Sequence, residues 1–168
     1  IHRHYRQPSH DTLASIQLEA GQLSLYLVTT ASKTQKTKNP QTVRKHMEKI
    51  DAYESFCCEK LGPHKVFGLH MFTDIPTIED FIRHQQEQCD AGGKPKWGDG
   101  SVHNFLTTAT WVLMFLSQKG ANKDIAEQSL GHIKTMQRSY IAACRSSREA
   151  KTADSVRAEL HNSAKHSK

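Results

Sequence analysis

Apolar residues in this chain recur three and four positions apart in five separate runs, and no alternating strand pattern of any length appears. The first run is Leu13, Ile16, Ala20, Leu23 and Leu27, which predicts a helix over about 10–31 capped by Ser9 or Asp11. Residues 30–39 are rich in Lys, Thr and Ser with no apolar period, so they read as a linker. Asn39-Pro40 then supplies an N-cap and a proline at the first helical position. The second helix carries Val43, Met47, Ile50, Tyr53 and Cys57 on one face, with Phe56 and Leu61 near its end, and Gly62-Pro63 stops it.

Val66, Phe67, Leu69, Met71 and Phe72 belong to a loop draped over the core. Thr77-Ile-Glu-Asp80 has the form of a capping box with Asp in place of Glu or Gln, opening a short helix through Ile78, Phe81, Ile82 and Cys89. Residues 90–100 hold four glycines and a proline, a loop composition. The most apolar run follows. From Val102 its apolar positions are Phe105, Leu106, Ala109, Val112, Leu113 and Leu116, one buried stripe, with Asn104, Thr107, Thr108 and Thr110 opposite. It is well short of the roughly 20 apolar residues that cross a bilayer, so it is a core helix. Trp111, Met114 and Phe115 widen its apolar surface, which makes it central or partner-facing. A last helix runs from about Asp124 to Arg145 through Ile125, Leu130, Ile133, Met136, Tyr140, Ile141 and Cys144, with a weak continuation through Val156 and Leu160. The reading is an all-α chain without internal repeats, in three segments: 1–38, 39–120 and 121–168.

Composition adds polarity to this picture. In 168 residues the apolar fraction is 36% and the formal net charge +6, which suits one moderate core and an acidic partner. The charge is segregated. Lys33, Lys36, Lys38, Arg44, Lys45 and Lys49 face only Glu48 over residues 33–49, whereas residues 74–90 hold Asp74, Glu79, Asp80, Glu87 and Asp90 against Arg83. From 134 onward, Lys134, Arg138, Arg145, Arg148, Lys151, Arg157, Lys165 and Lys168 outnumber Glu149, Asp154 and Glu159. Cys57, Cys58, Cys89 and Cys144 show no disulfide framework and fall on helical apolar faces, so reduced core thiols are expected. No signal peptide is visible, and the absence of an initiator Met suggests a fragment or a processed product.

Catalytic and metal chemistry find little support. His2, His4 and His10 lack the spacing and thiol company of a zinc site. A nucleophile needs a positioned base, and only Cys57 or Cys58 with His46 or His64 qualify by type. Gly92-Gly93-Lys94 lacks P-loop spacing. No catalytic residue, cofactor or metal is expected. The basic start of the second helix is better suited to phosphate, because a helix N-terminus offers N–H donors and a positive dipole end. Ser101, His103 and Asn104 open the apolar helix in the same way, just after Lys94, Lys96 and Trp97.

Three segments carry a resemblance. Gln41-Thr-Val-Arg-Lys-His-Met-Glu-Lys-Ile-Asp-Ala-Tyr-Glu-Ser-Phe56, then Thr73-Asp-Ile-Pro-Thr-Ile-Glu-Asp-Phe-Ile82, then Gly100-Ser-Val-His-Asn-Phe-Leu-Thr-Thr-Ala-Thr-Trp-Val-Leu-Met-Phe-Leu116 resemble the N-terminal core-binding domain of tyrosine recombinases and phage integrases. The resemblance covers roughly residues 40–120. It implies a compact, orthogonal bundle of four to six helices that clamps double-stranded DNA without catalysing anything itself. It also implies an intracellular place in a nucleus or nucleoid, and a homo-oligomer or an attached C-terminal catalytic domain as partner. The DNA contacts it implies are Lys36, Lys38, Thr42, Arg44, Lys45 and Lys49, with Lys94, Lys96, Ser101, His103 and Asn104 as a second set. Leu130-Gly-His-Ile-Lys-Thr-Met-Gln-Arg-Ser-Tyr140 is similar to a segment of the family's catalytic domain, with His132 and Tyr140 in catalytic positions. The phosphate-holding arginines are missing, however: His103-Asn-Phe-Leu106 ends in Leu where the family has Arg. The alternative function is a helical protein-interaction module whose contact surface is Trp97, Trp111, Met114 and Phe115.

Overall fold

The computed structural model describes residues 18–28, 39–61, 68–118 and 123–165. They form α1 (residues 18–28), α2 (Pro40–Leu61), a 3-10 turn (Leu69–Thr73), α3 (Ile75–Glu87), α4 (Asp99–Gln118) and α5 (Lys123–Lys165). The chain is all-α: among the described residues the only β-type pairing is an isolated bridge between Cys89 and Pro95. No helix among them is long and apolar enough to cross a membrane.

Helix boundaries follow local chemistry. Asn39 opens α2, its side-chain oxygen accepting from the Gln41 amide at 3.0 Å and its carbonyl from Thr42 at 2.7 Å. At α3 the expected capping box is displaced. The cap is Asp74, whose carboxylate accepts from the Thr77 amide at 3.3 Å, and Pro76 occupies the first turn. Thr77 is therefore a capped residue rather than the capping one. Helix α3 ends at Glu87 because Gln88 turns extended, and Asp90 then ties the next loop together. Asp90 Oδ1 accepts from the Gly92 and Lys94 amides at 2.8 and 3.0 Å, and Gly93 supplies the left-handed φ of 73° that this turn requires. Cys89 consequently lies outside the helix and is exposed, against the expectation of a core thiol. Cys57 is buried, Cys58 and Cys144 are half-buried, and all four are free thiols.

Helix α4 is the centre of the bundle. Val102, Phe105, Leu106, Ala109, Val112 and Leu113 are fully buried, as their spacing predicts. The stripe is wider than that spacing alone: Phe115 is buried against Tyr26 of α1, with ring centroids 5.4 Å apart, and Leu116 is only half-buried. Thr108, expected on the polar side, is fully buried because His46 of α2 meets it, Nδ1 to Oγ1, at 2.8 Å. The Thr108 hydroxyl donates to the Asn104 carbonyl at 3.2 Å, so the His46 nitrogen supplies the hydrogen of the shorter contact.

Helix α5 runs antiparallel to α4, with Gln137 donating to Thr107 Oγ1 at 2.8 Å near the middle and Tyr140 beside Asp99 at the α4 start. Along its other flank it follows the 3-10 turn and α3 in parallel, from Ser129 Oγ on the Thr73 carbonyl at 3.1 Å to Tyr140 at Gln86. Ala126, Ser129 and Ile133 are its buried positions, whereas Ile125, on the expected apolar face, is 52% exposed. Between α2, α3 and α4 sits an aromatic cluster. Tyr53 lies 4.6 Å from Phe72, 5.3 Å from Phe81 and 5.8 Å from Phe105 by ring centroid, and its hydroxyl donates to the Met71 carbonyl at 3.0 Å. Such pairs add about 0.5–1.5 kcal/mol each beyond their buried area.

The bundle ends before α5 does. Every position from 145 to 161 is exposed, so over those residues roughly 24 Å of helix stands clear of the core. Its Ala, Arg, Lys and Glu content favours helix without tertiary support, and no proline or glycine interrupts it. The continuation beyond Arg145 is thus a full extension of one 43-residue helix.

Candidate nucleic-acid interface

The first set of expected phosphate contacts lies on the opening turns of α2. Lys36 and Lys38 lie outside the described residues. Thr42, Arg44 and Lys45 are exposed. Arg44 is engaged by Glu48 one turn on, Nε to Oε1 at 3.2 Å. Lys49 is half-buried and folds back to donate to the Lys45 carbonyl at 3.3 Å. Burial of its ammonium, with Lys45 adding like charge, holds its pKa below the usual lysine value. The backbone donors expected at this helix start are already taken. Pro40 has no N–H, and Asn39 binds both the Gln41 and Thr42 amides. What this end offers an anion is therefore its side chains, Lys45 foremost.

The second set surrounds the start of α4. Lys94 and Lys96 are exposed on the loop that Asp90 ties, and Lys96 Nζ reaches Gln88 Oε1 at 3.4 Å. Ser101 and His103 are half-buried and Asn104 is exposed. Among the described residues His103 Nδ1 is buried without a hydrogen-bond partner, whereas the Ser101 amide is satisfied by the Gly98 carbonyl at 3.0 Å. Asp99 sits in the first turn and faces the helix dipole favourably, which sets a negative charge where a phosphate would approach.

The two sets do not form one patch. His46 pairs with Thr108 and Tyr53 with Phe105, so moving forward along α2 moves backward along α4. The start of α2 thus lies toward the later turns of α4, and the start of α4 toward the later turns of α2. What the α4 start does adjoin is α5, through Asp99 and Tyr140, at the point where α5 leaves the bundle.

Charge pairing separates the cations. Among the described residues the ion pairs are Arg44–Glu48, Lys60–Asp80, Arg83–Asp80 and Lys123–Glu127. Lys60 donates to Asp80 at 2.7 Å and, with Arg83, holds that carboxyl below the usual range. Lys45, Lys94, Lys134, Arg138, Arg145 and Arg148 take part in none of these pairs, and all are exposed. The four on α5 share one stripe: at about 100° per residue, positions 134, 138, 145 and 148 fall within about 80° of each other. The excess of basic residues after 134 is visible in the sequence, but this stripe follows only once the helix is known to be continuous across Arg145.

The catalytic likeness is not assembled. His132 and Tyr140 stand eight residues apart on α5, about 12 Å along its axis, and Tyr140 is half-buried with its pKa raised by burial and by Asp99. Burial pushes the Cys57 thiol up to about 11, away from nucleophilic use, and His46 is committed to Thr108. His64 and the His2, His4, His10 group lie outside the described residues, among which no cluster of His, Cys, Asp or Glu is fit to hold a metal. Trp97 packs on Phe81 at 5.3 Å and Phe105 at 5.6 Å, and Phe115 is buried, so both serve the core. Searches against protein-family models, curated proteins and solved structures return no match.

Proposed function

We propose that this chain is a non-catalytic module that binds double-stranded DNA through exposed, unpaired cations, in the manner that its resemblance to the recombinase core-binding domain implies. The observation that carries this reading is the charge pairing. On α3 the Asp80 carboxylate is taken by Lys60 and Arg83, while among the described residues Lys45 and Lys94 are exposed and have no ion-pair partner. Such cations displace counterions from a duplex, which gives affinity that falls steeply with salt. A duplex titration by fluorescence anisotropy across salt concentrations tests it. Lys45→Glu with Lys94→Glu should weaken binding several-fold and flatten the salt dependence. Salt-independent binding, or none, would remove the DNA reading. Concentration-dependent self-association without DNA binding would favour the protein-interaction alternative.

A further inference from the structure

We infer that α5 carries a second, separate duplex-binding ridge, formed by Lys134, Arg138, Arg145 and Arg148 where the helix leaves the bundle. This inference rests on the DNA reading and names where the backbone of the duplex lies. The four cations share one stripe of a single helix, and the first to the last spans about 21 Å, roughly the rise of six base pairs. None has an ion-pair partner among the described residues. A stripe of such cations on one continuous helix is complementary to a regular line of phosphates.

Two features favour a duplex over a flexible strand. A single strand is gripped by stacking its bases on aromatic side chains, and the exposed half of α5 from 145 to 161 contains no Phe, Tyr or Trp. Past Cys144 every position to 161 is exposed, so a stiff double helix meets no packed position on that part of α5. The stripe is bounded: Glu149 follows at once, and Asp154 and Glu159 continue the acidic content outward. The contact therefore belongs to the exit point and not to the outer end of α5.

The test compares the full chain with two variants on one labelled 20-base-pair duplex and its single strand. Arg145→Ala with Arg148→Ala touches no packed residue and keeps helix propensity, so far-UV circular dichroism should be unchanged. It should lower duplex affinity about 10-fold at low salt and reduce the slope of log affinity against log salt by about 2. Lys45→Glu with Lys94→Glu reports on the other cations. If that variant weakens binding and the α5 variant keeps the wild-type affinity and slope, the α5 ridge is wrong while the DNA reading stands. If the wild-type chain shows no salt-dependent duplex binding, the DNA reading falls first. Equal affinity for the single strand would also overturn the ridge as a duplex site.

Discussion

Replacing Glu54 by Gln should abolish much of the pH dependence of stability near neutrality. Glu54 is half-buried on α2, and burial, with Asp51 and Glu19 adding negative charge, pushes its carboxyl from the ordinary 4.5 up to about 7. The Glu19 carboxylate is fixed in place because it accepts from the Leu69 amide at 2.6 Å, so it cannot swing away from the growing charge. With the folded-state value above the unfolded one, the folded chain holds a proton that the unfolded chain has released. Stability from this group is complete below about pH 4.5 and is lost as pH rises through about 7. The shift corresponds to about 3 kcal/mol at about 1.4 kcal/mol per unit, and solvent reaching a half-exposed carboxylate reduces this to about 2 kcal/mol. Thermal melts of both proteins followed by circular dichroism at about pH 5, 6, 7 and 8 provide the assay. The variant should gain on the wild type as pH rises, by about 4–8 °C in Tm between the extremes. A difference that stays flat across that range would refute the assignment of strain to Glu54.

Thr108→Val keeps the shape of a buried side chain but leaves His46 Nδ1 without its partner at 2.8 Å, so urea unfolding should show a loss of about 1–3 kcal/mol. Asp74→Ala removes the α3 cap at the Thr77 amide and should cost about 1 kcal/mol in the same assay.

Much of the bundle was legible because its helices carry local signals. Asn39-Pro40 marks the start of α2, and Val43, Ile50, Tyr53 and Cys57 recur at the helical period and are buried. The α4 stripe is legible for the same reason. The α3 cap is not decided locally, because two aspartates, Asp74 and Asp80, flank Thr77, and only the backbone direction decides which carboxylate meets an amide. Burial of Thr108 could not be read locally, since its partner is 62 positions away. The site was partly legible. Residue type marks the exposed cations, and the Asn39 cap and the i,i+4 spacing of Arg44 and Glu48 are local signals as well. The antiparallel pairing of α2 with α4, which separates the two contact sets, depends on tertiary contacts alone.

The most direct measurement is the affinity of the full chain for a short duplex as salt is raised. With the four α5 cations engaged on one short duplex, log affinity should fall against log salt with a slope of about −4, near 0.9 per phosphate neutralised. A slope near zero, or no duplex binding at low salt, would contradict the account.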